Sequence, residues 1–101
     1  AISNAATLMT PWKEPRSLAT GILDDITYDW IGVLQALAYT GGESIVASED
    51  EIALAYDLVN RNGVKAEPTG SAGVAGVISS LKSGYIQRSD KVAVLFTGVA
   101  R

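Results

Sequence analysis

The spacing of apolar residues changes its period several times along the chain, and each change predicts a secondary-structure element. From Trp30 onward, apolar side chains recur at i, i+3, i+4, i+7 and i+8, which is the period of a helix with one buried face. Gly41 and Gly42 should end this helix because glycine adopts the left-handed conformation at no steric cost. The pattern therefore predicts a first helix within residues 23–42.

Two further helices are predicted downstream. Ser48 and Glu51 have the spacing of a capping box, so a second helix should begin there and end near Gly63. One face of it is expected to be buried, with Ile52, Ala55, Tyr56 and Val59. The third helix is predicted within residues 69–84 and should end at Gly84.

The first two turns of the third predicted helix contain Gly70, Gly73 and Gly76. Each glycine costs roughly 1 kcal/mol relative to alanine in a helix interior. Close approach of another backbone or of a ligand is the usual compensation, since glycine has no side chain to hold a neighbour away. We therefore expect close packing against this glycine face.

Apolar runs without a helical period predict strands between the helices. They are residues 17–22, 43–48, a short piece within 64–68, and 91–98. The last run, from Val92 to Phe96, does not alternate, which is typical of a strand covered on both faces. The order βαβαβαβ predicts an α/β fold in which helices flank a layered, mostly parallel sheet.

Composition places the chain among ordinary globular proteins. It has 101 residues, of which 48% are hydrophobic and 19% charged, enough for one small domain. Residues 1–16 contain two prolines and no sustained period, so they are predicted to be an entry loop. Residues 17–101 are predicted to form a single α/β domain fragment.

Charge and residue content exclude several functions. The net charge is −3 and the eight basic residues are scattered, so nucleic acid is not an expected partner. With no cysteine or histidine, the chain lacks disulfides, thiolate zinc sites and the commonest general base. No apolar stretch approaches the ~18 residues of a membrane span. The default expectation is a cytoplasmic protein.

Two segments are candidate binding sites. Thr97 and Gly98 follow the last predicted strand, where open α/β sheets bind ligands; alternatively, they only begin a turn. Glu67 precedes the glycine-rich helix start, whose free N–H groups suit an anion; alternatively, these glycines serve tight packing and Glu67 is solvated. Spacing alone does not decide either case.

The remaining charged residues predict no further site. Asp24, Asp25 and Asp29 precede the first helix, where aspartate commonly caps a helix and complements its dipole. We favour this role over metal binding. The lysines adjoin turns or polar residues and are expected to be solvated. They are Lys13, Lys65, Lys82 and Lys91.

Four phrases together resemble the C-terminal part of the large domain of fold-type II pyridoxal-phosphate enzymes, and they are most similar to threonine synthases. They are "SLATGI", "YTGGESIVASEDEIALAYDLV", "VKAEPTGSAGVAGV" and "VAVLFTG". "SLATGI" is also similar to a phrase of threonine and serine dehydratases. Threonine synthases often continue "TG-G-LK" after the last strand, whereas this sequence reads "TGVAR".

The resemblance implies four cofactor-binding residues. Thr97 corresponds to the Ser or Thr that hydrogen-bonds the pyridine nitrogen of the cofactor, and Gly98 would line the same ring edge. Glu67 would lie near the pyridine side. Gly21 matches a position close to the cofactor in the dehydratases. A neutral hydroxyl partner leaves the ring nitrogen largely unprotonated, which favours elimination and replacement chemistry.

The resemblance also implies an activity: conversion of O-phosphohomoserine and water to threonine and phosphate. The Schiff-base lysine and the phosphate loop of the family are expected in preceding sequence, so no catalytic residue is assigned in this chain. The expected partners are an amino-acid substrate, the rest of the enzyme, and a second copy in a homodimer. Two alternatives stay open: a fragment of a serine or threonine dehydratase or a related amino-acid lyase, and a stand-alone small α/β module that binds an anion.

Overall fold

The computed structural model describes residues 16–22 and 29–98, in which the chain forms three α-helices. They are α1 (Trp30–Thr40), α2 (Glu49–Arg61) and α3 (Ala72–Ser83). The described residues fall into two compact units, one containing residues 29–44 and the other containing 16–22 and 45–98. The predicted bounds of the entry loop and of the single domain fragment stay a prediction.

Helix α1 ends where the glycine pair predicted. Gly41 adopts the left-handed conformation, with φ of 70°, and its N–H donates to the Leu37 carbonyl. The predicted buried face is wrong, because no residue of α1 is buried and Val33 is 42% exposed. An apolar period is enough to specify a helix, but burial also needs a surface packed against it.

The predicted capping role is wrong for Asp29. This residue stands at the N-cap of α1, but its φ of 54° is left-handed and its side chain makes no capping hydrogen bond. The carboxylate still lies at the helix N-terminus, where a negative charge complements the dipole. Asp24 and Asp25 lie outside the described residues. Within residues 16–22 and 29–98, no group of three potential ligands is placed to hold a metal ion.

The predicted capping box of α2 is confirmed. Ser48 Oγ accepts the Glu51 N–H at 3.1 Å, and the Glu51 carboxylate accepts the Ser48 N–H at 2.8 Å. These two bonds satisfy donors that a helix start leaves free. The helix ends at Arg61, and Gly63 follows with φ of 89°. Both predicted ends of α2 therefore lie within two residues of the observed ends.

Helices α2 and α3 pack against each other around a small core. Its buried members are Ala19, Ile52, Ala55 and Ala75. Ile52, Ala55 and Val59 are buried as predicted, whereas Tyr56 is 38% exposed and that prediction is wrong. Glu49 joins the 16–22 segment to α2, because its carboxylate accepts the Leu18 N–H at 2.8 Å.

The predicted glycine face of the third helix is only partly confirmed. Helix α3 begins at Ala72, so Gly70 precedes it instead of lying in its first turn. A Cβ on Gly73 would be 2.9 Å from Val94 Cγ1, which is too close, whereas a Cβ on Gly76 would meet no atom of the described residues within 4 Å. Gly84 ends the helix in the left-handed conformation, as predicted.

The predicted sheet is not confirmed, because residues 16–22 and 29–98 contain helices but no strand. Thr20–Ile22 forms a 3₁₀ turn, so the strand predicted over 17–22 is wrong there. A strand needs a neighbour that pairs its backbone groups. A backbone hydrogen bond does connect two of the segments predicted to be strands: the Glu67 N–H donates to the Gly98 carbonyl.

Acid should weaken the packing of α2 on α3 through Glu51. The Ser48 N–H, and to a lesser extent the Ser48 hydroxyl and the Lys82 ammonium 3.5 Å away, lower the pKa of this carboxyl below its ordinary value of 4.5, against an opposing effect of burial. A carboxyl whose pKa is depressed by folding stabilises the protein above the unfolded pKa, and that stability is lost as pH falls through the folded pKa.

We therefore expect Glu51→Gln to lower stability at neutral pH and to flatten its loss below pH 4.5. Urea unfolding of wild-type and variant chains between neutral and acid pH measures both effects. The pKa of Glu49 is lowered mainly by the Leu18 N–H, so this residue should contribute in the same direction. The double variant Glu49→Gln/Glu51→Gln should therefore lose even less stability as the pH falls. Equal acid losses in all three proteins would contradict this assignment.

Candidate functional site

A loop formed by residues 67–71 leads into α3 and is tied together by Ser71. This residue is fully buried. Its N–H donates to the Glu67 carbonyl at 3.0 Å, and its hydroxyl lies 3.1 Å from that carbonyl oxygen and 3.2 Å from that of Pro68. A buried hydroxyl with two acceptors holds the backbone in one conformation. The 67–71 loop is therefore a defined surface onto which other segments can pack.

Gly98 packs on this loop by direct backbone contact. The Glu67 N–H donates to the Gly98 carbonyl at 3.3 Å. A Cβ on Gly70 would overlap the Gly98 carbonyl oxygen and would lie 2.6 Å from the Gly98 nitrogen. Backbone atoms cannot move aside as a flexible side chain can, so residue 70 must lack a side chain. This is the compensation that the glycine-rich helix start predicted.

Thr97 is exposed beside this contact. Its neighbour Gly98 is fixed by Glu67 and Gly70, so the position of the Thr97 backbone is set on one side by the loop. A threonine hydroxyl can donate one hydrogen bond and accept others. An exposed residue with such a hydroxyl therefore adjoins the contact between Gly98 and the 67–71 loop.

Gly21 reaches the same loop from the 16–22 segment. Its N–H donates to Thr69 Oγ1 at 2.8 Å. A Cβ on Gly21 would lie 2.8 Å from Thr69 Oγ1 and 2.9 Å from Thr69 Cγ2, so a larger residue would have to displace the threonine. The 67–71 loop therefore contacts both segments that carry predicted site residues.

Three predicted residues converge on the 67–71 loop: Glu67 lies within it, and Gly98 and Gly21 contact it. Thr97 adjoins Gly98. Sequence reasoning did not single out Thr69 or Ser71, which make the side-chain bonds of the loop. Hydroxyl residues in a Thr-Gly-Ser run are typical of any turn, so only their spatial partners distinguish them.

The start of α3 has few free donors for an anion. The N–H groups of Ser71, Ala72 and Val74 donate to the carbonyls of Glu67, Thr69 and Ser71, respectively. An anion at a helix N-terminus binds through such N–H groups. Because three of them already have acceptors, this helix end is a poor anion cradle.

Charged side chains near the packed helices have structural partners. Lys82 pairs with the buried Glu51 at 3.5 Å, although its own side chain is 66% exposed. The expectation that Lys82 is a solvated surface residue therefore holds for its exposure but misses this ion pair. Lys65 and Lys91 are exposed as expected, and Lys13 lies outside the described residues.

A groove of about 800 Å³ lies at the other end of α3. Leu81 and Val92 contribute apolar walls, and Lys82, Arg88 and Asp90 contribute charge. None of the four residues predicted to bind a cofactor lines it.

In the part of the chain that the structure describes, no helix has the length and hydrophobicity to cross a membrane.

Most of the chain is similar in sequence to known threonine synthases. It is 33% identical over 89 residues to threonine synthase of Mycobacterium bovis, which covers 87% of this chain and 25% of that protein. It is 36% identical over 87 residues to threonine synthase of a Bacillus species, covering 85% and 25% of the two chains, respectively. No family model matches.

The similarity extends to an archaeal protein: 31% identity over 99 residues to threonine synthase of Methanosarcina acetivorans, covering 97% of this chain and 24% of the relative. The chain therefore spans about a quarter of the length of the curated relatives that it matches. The resemblance to threonine synthases that the sequence phrases indicated is confirmed.

Proposed function

We propose that this chain is the C-terminal segment of a threonine synthase and forms one wall of a pyridoxal-phosphate site. The intact enzyme would convert O-phosphohomoserine and water to threonine and phosphate. Similarity to threonine synthases over most of the chain carries this proposal. The convergence of Gly21, Glu67 and Gly98 on one loop supports it, because residues of one cofactor site must be close in space.

The residues present suit an aromatic ring with a basic nitrogen. Gly70 and Gly98 meet backbone to backbone, which leaves a surface without side chains that a flat ring can approach. Thr97, which is exposed, adjoins this surface and carries the hydroxyl that would bind the ring nitrogen. The chemistry that the cofactor supplies when bound is stabilisation of a carbanion by withdrawal of electrons into its ring.

In this proposal Thr97 holds the ring nitrogen by a hydrogen bond. A hydroxyl is neutral, so it orients the ring without making the nitrogen a permanent cation. Glu67 fixes Gly98 through its backbone N–H, and its exposed carboxylate is available on the same loop. Gly21, which contacts the same loop through Thr69, would form another part of the wall of the proposed site. These residues bind and orient, and the lysine that attaches the cofactor belongs to another part of the enzyme.

The surface of the described residues supports a place within a larger protein. Several large apolar side chains are highly exposed, including Tyr39 at 93%, Val46 at 89% and Leu95 at 83%. Covering such side chains with another part of a protein is favourable, because it removes apolar surface from water. We propose that the rest of the enzyme covers them and pairs the segments predicted to be strands.

Substrate assays on the full-length protein that carries this segment test the reaction. We expect phosphate release from O-phosphohomoserine in the presence of pyridoxal phosphate, and little keto acid from threonine or serine. The reverse pattern would favour the dehydratase alternative, which the phrase "SLATGI" keeps open. Activity on neither substrate would reject both enzymes.

A second experiment tests the division of labour between this segment and the rest. The 101-residue chain is mixed with pyridoxal phosphate and treated with borohydride, which fixes the cofactor to any lysine that has attached it. We expect no stoichiometric labelling. A stoichiometric label on one lysine of this chain would reject the assignment of that lysine to another segment.

The stand-alone anion-binding module is less favoured. Its binding site would be the start of α3, where Ser71, Ala72 and Val74 already donate their N–H groups to backbone carbonyls. Titration of the chain with phosphate, followed by the amide resonances of Gly70 and Gly73, separates the two proposals. Saturable shifts at both glycines would favour the module.

A further inference from the structure

We propose that Thr69 is a positioning residue: its hydroxyl holds Gly21 on the 67–71 loop so that Gly21 and the Thr97–Gly98 pair line the same site. The inference rests on the proposed function, because the site that Thr69 organises is the proposed cofactor site. Thr69 acts through its neighbours and is not a catalytic residue.

The contact between Thr69 and Gly21 is both polar and steric. Thr69 Oγ1 accepts the Gly21 N–H at 2.8 Å, across 48 positions of sequence. The same oxygen and the Cγ2 methyl occupy the space that a side chain on Gly21 would need. A threonine at 69 therefore fixes the Gly21 backbone by a hydrogen bond and by shape.

The backbone of Thr69 lies near Gly98. Its carbonyl accepts the Ala72 N–H at 3.2 Å, which fixes residue 69 relative to the start of α3. Its carbonyl carbon lies 4.0 Å from the position of a Cβ on Gly98, and the next residue, Gly70, contacts Gly98 directly. Thr69 is thus the residue through which the Gly21 turn and the Gly98 segment share one support.

Because this contact is exposed, a positioning role of Thr69 can be distinguished from a role in folding. Gly21 is exposed, so water can replace the Thr69 hydroxyl at its N–H without leaving a buried donor unsatisfied. Removal of the hydroxyl should therefore change overall stability little. It should instead allow the Gly21 turn to move relative to Gly98.

The test compares Thr69→Val, which keeps the shape but lacks the hydroxyl, with Thr69→Ser, which keeps the hydroxyl. In the full-length protein, titration with pyridoxal phosphate should show about tenfold weaker binding for Thr69→Val and near wild-type binding for Thr69→Ser. Hydrogen exchange of the Gly21 amide should be faster in Thr69→Val alone. Thermal unfolding of both variants should stay close to wild type.

The outcomes are distinct. Wild-type cofactor affinity and Gly21 exchange in Thr69→Val would overturn the role of Thr69 while the proposed function stands. If the wild-type protein bound no pyridoxal phosphate, the proposed function would fall and this inference with it.

A double-mutant cycle covers the case in which Thr69→Val does not fold. Gly21→Ala should weaken binding because its Cβ meets the Thr69 side chain, and the loss in Gly21→Ala/Thr69→Ala should be smaller than the sum of the losses in Gly21→Ala and Thr69→Ala. Strictly additive effects would overturn the contact.

Discussion

Replacing Thr97 with valine should leave pyridoxal phosphate bound to the full-length enzyme while kcat falls about ten- to hundredfold, because a single hydrogen bond to a polarised ring is worth one to two factors of ten. Valine has the shape of threonine but cannot donate to the ring nitrogen. The residue is exposed, so the exchange should not disturb packing. Phosphate release from O-phosphohomoserine measures turnover, and cofactor absorbance measures occupancy.

Thr97→Ser is the matched control for this experiment. It retains the hydroxyl and should keep most of the wild-type turnover. The pH dependence of the cofactor spectrum should change in the valine variant and not in the serine variant, because only the former changes the environment of the ring nitrogen. Wild-type kinetics in Thr97→Val would reject the proposed role of this hydroxyl.

Replacing Gly70 with alanine should be the most damaging glycine-to-alanine exchange among the described residues. The new methyl group would overlap the Gly98 carbonyl, and neither partner is a side chain that can rotate away. Overpacking of this kind costs about 1–3 kcal/mol in the free energy of unfolding. It should also displace Gly98, and with it Thr97, so cofactor affinity should fall in parallel.

Gly76→Ala is a close comparison because it adds the same methyl group within α3. No described atom lies within 4 Å of that Cβ, and alanine is preferred in a helix interior by roughly 1 kcal/mol. We expect a gain in stability and unchanged cofactor binding. Urea unfolding and cofactor titration of both variants test the pair; equal stability changes would contradict the Gly70–Gly98 contact.

Local rules predicted the helix ends well because the groups that decide them are close in sequence. Ser48 and Glu51 cap each other across three residues, and Gly41 and Gly84 end their helices by their own backbone freedom. Burial was harder to predict. Tyr56 fits the apolar period of α2 but is exposed, since burial depends on what packs against the helix.

The predicted strands show the same distinction. Residues 91–98 have the composition of a buried strand, yet they pair with no strand among the described residues. Composition describes the surroundings that a segment needs, while a sheet exists only when its neighbours are present. This chain matches about a quarter of its relatives' length, and under the proposed function the neighbouring strands belong to the rest of the enzyme.

The candidate site was predictable only with the family resemblance. Spacing alone left Thr97 and Gly98 as either a site or a turn, and the roles proposed for Gly21 and Glu67 came from the phrases shared with known enzymes. The contacts of Thr69 and Ser71 could not have been predicted, because their partners lie in a distant segment or depend on loop geometry.

The core between α2 and α3 has a calorimetric consequence. Three of its four buried members are alanines, namely Ala19, Ala55 and Ala75. Alanine exposes little apolar area when a protein unfolds, and that area sets both the heat-capacity change and the slope of stability against denaturant. This core by itself should therefore unfold over a broad range of denaturant concentration and with a small heat-capacity change, and both quantities should increase when the exposed apolar side chains are covered.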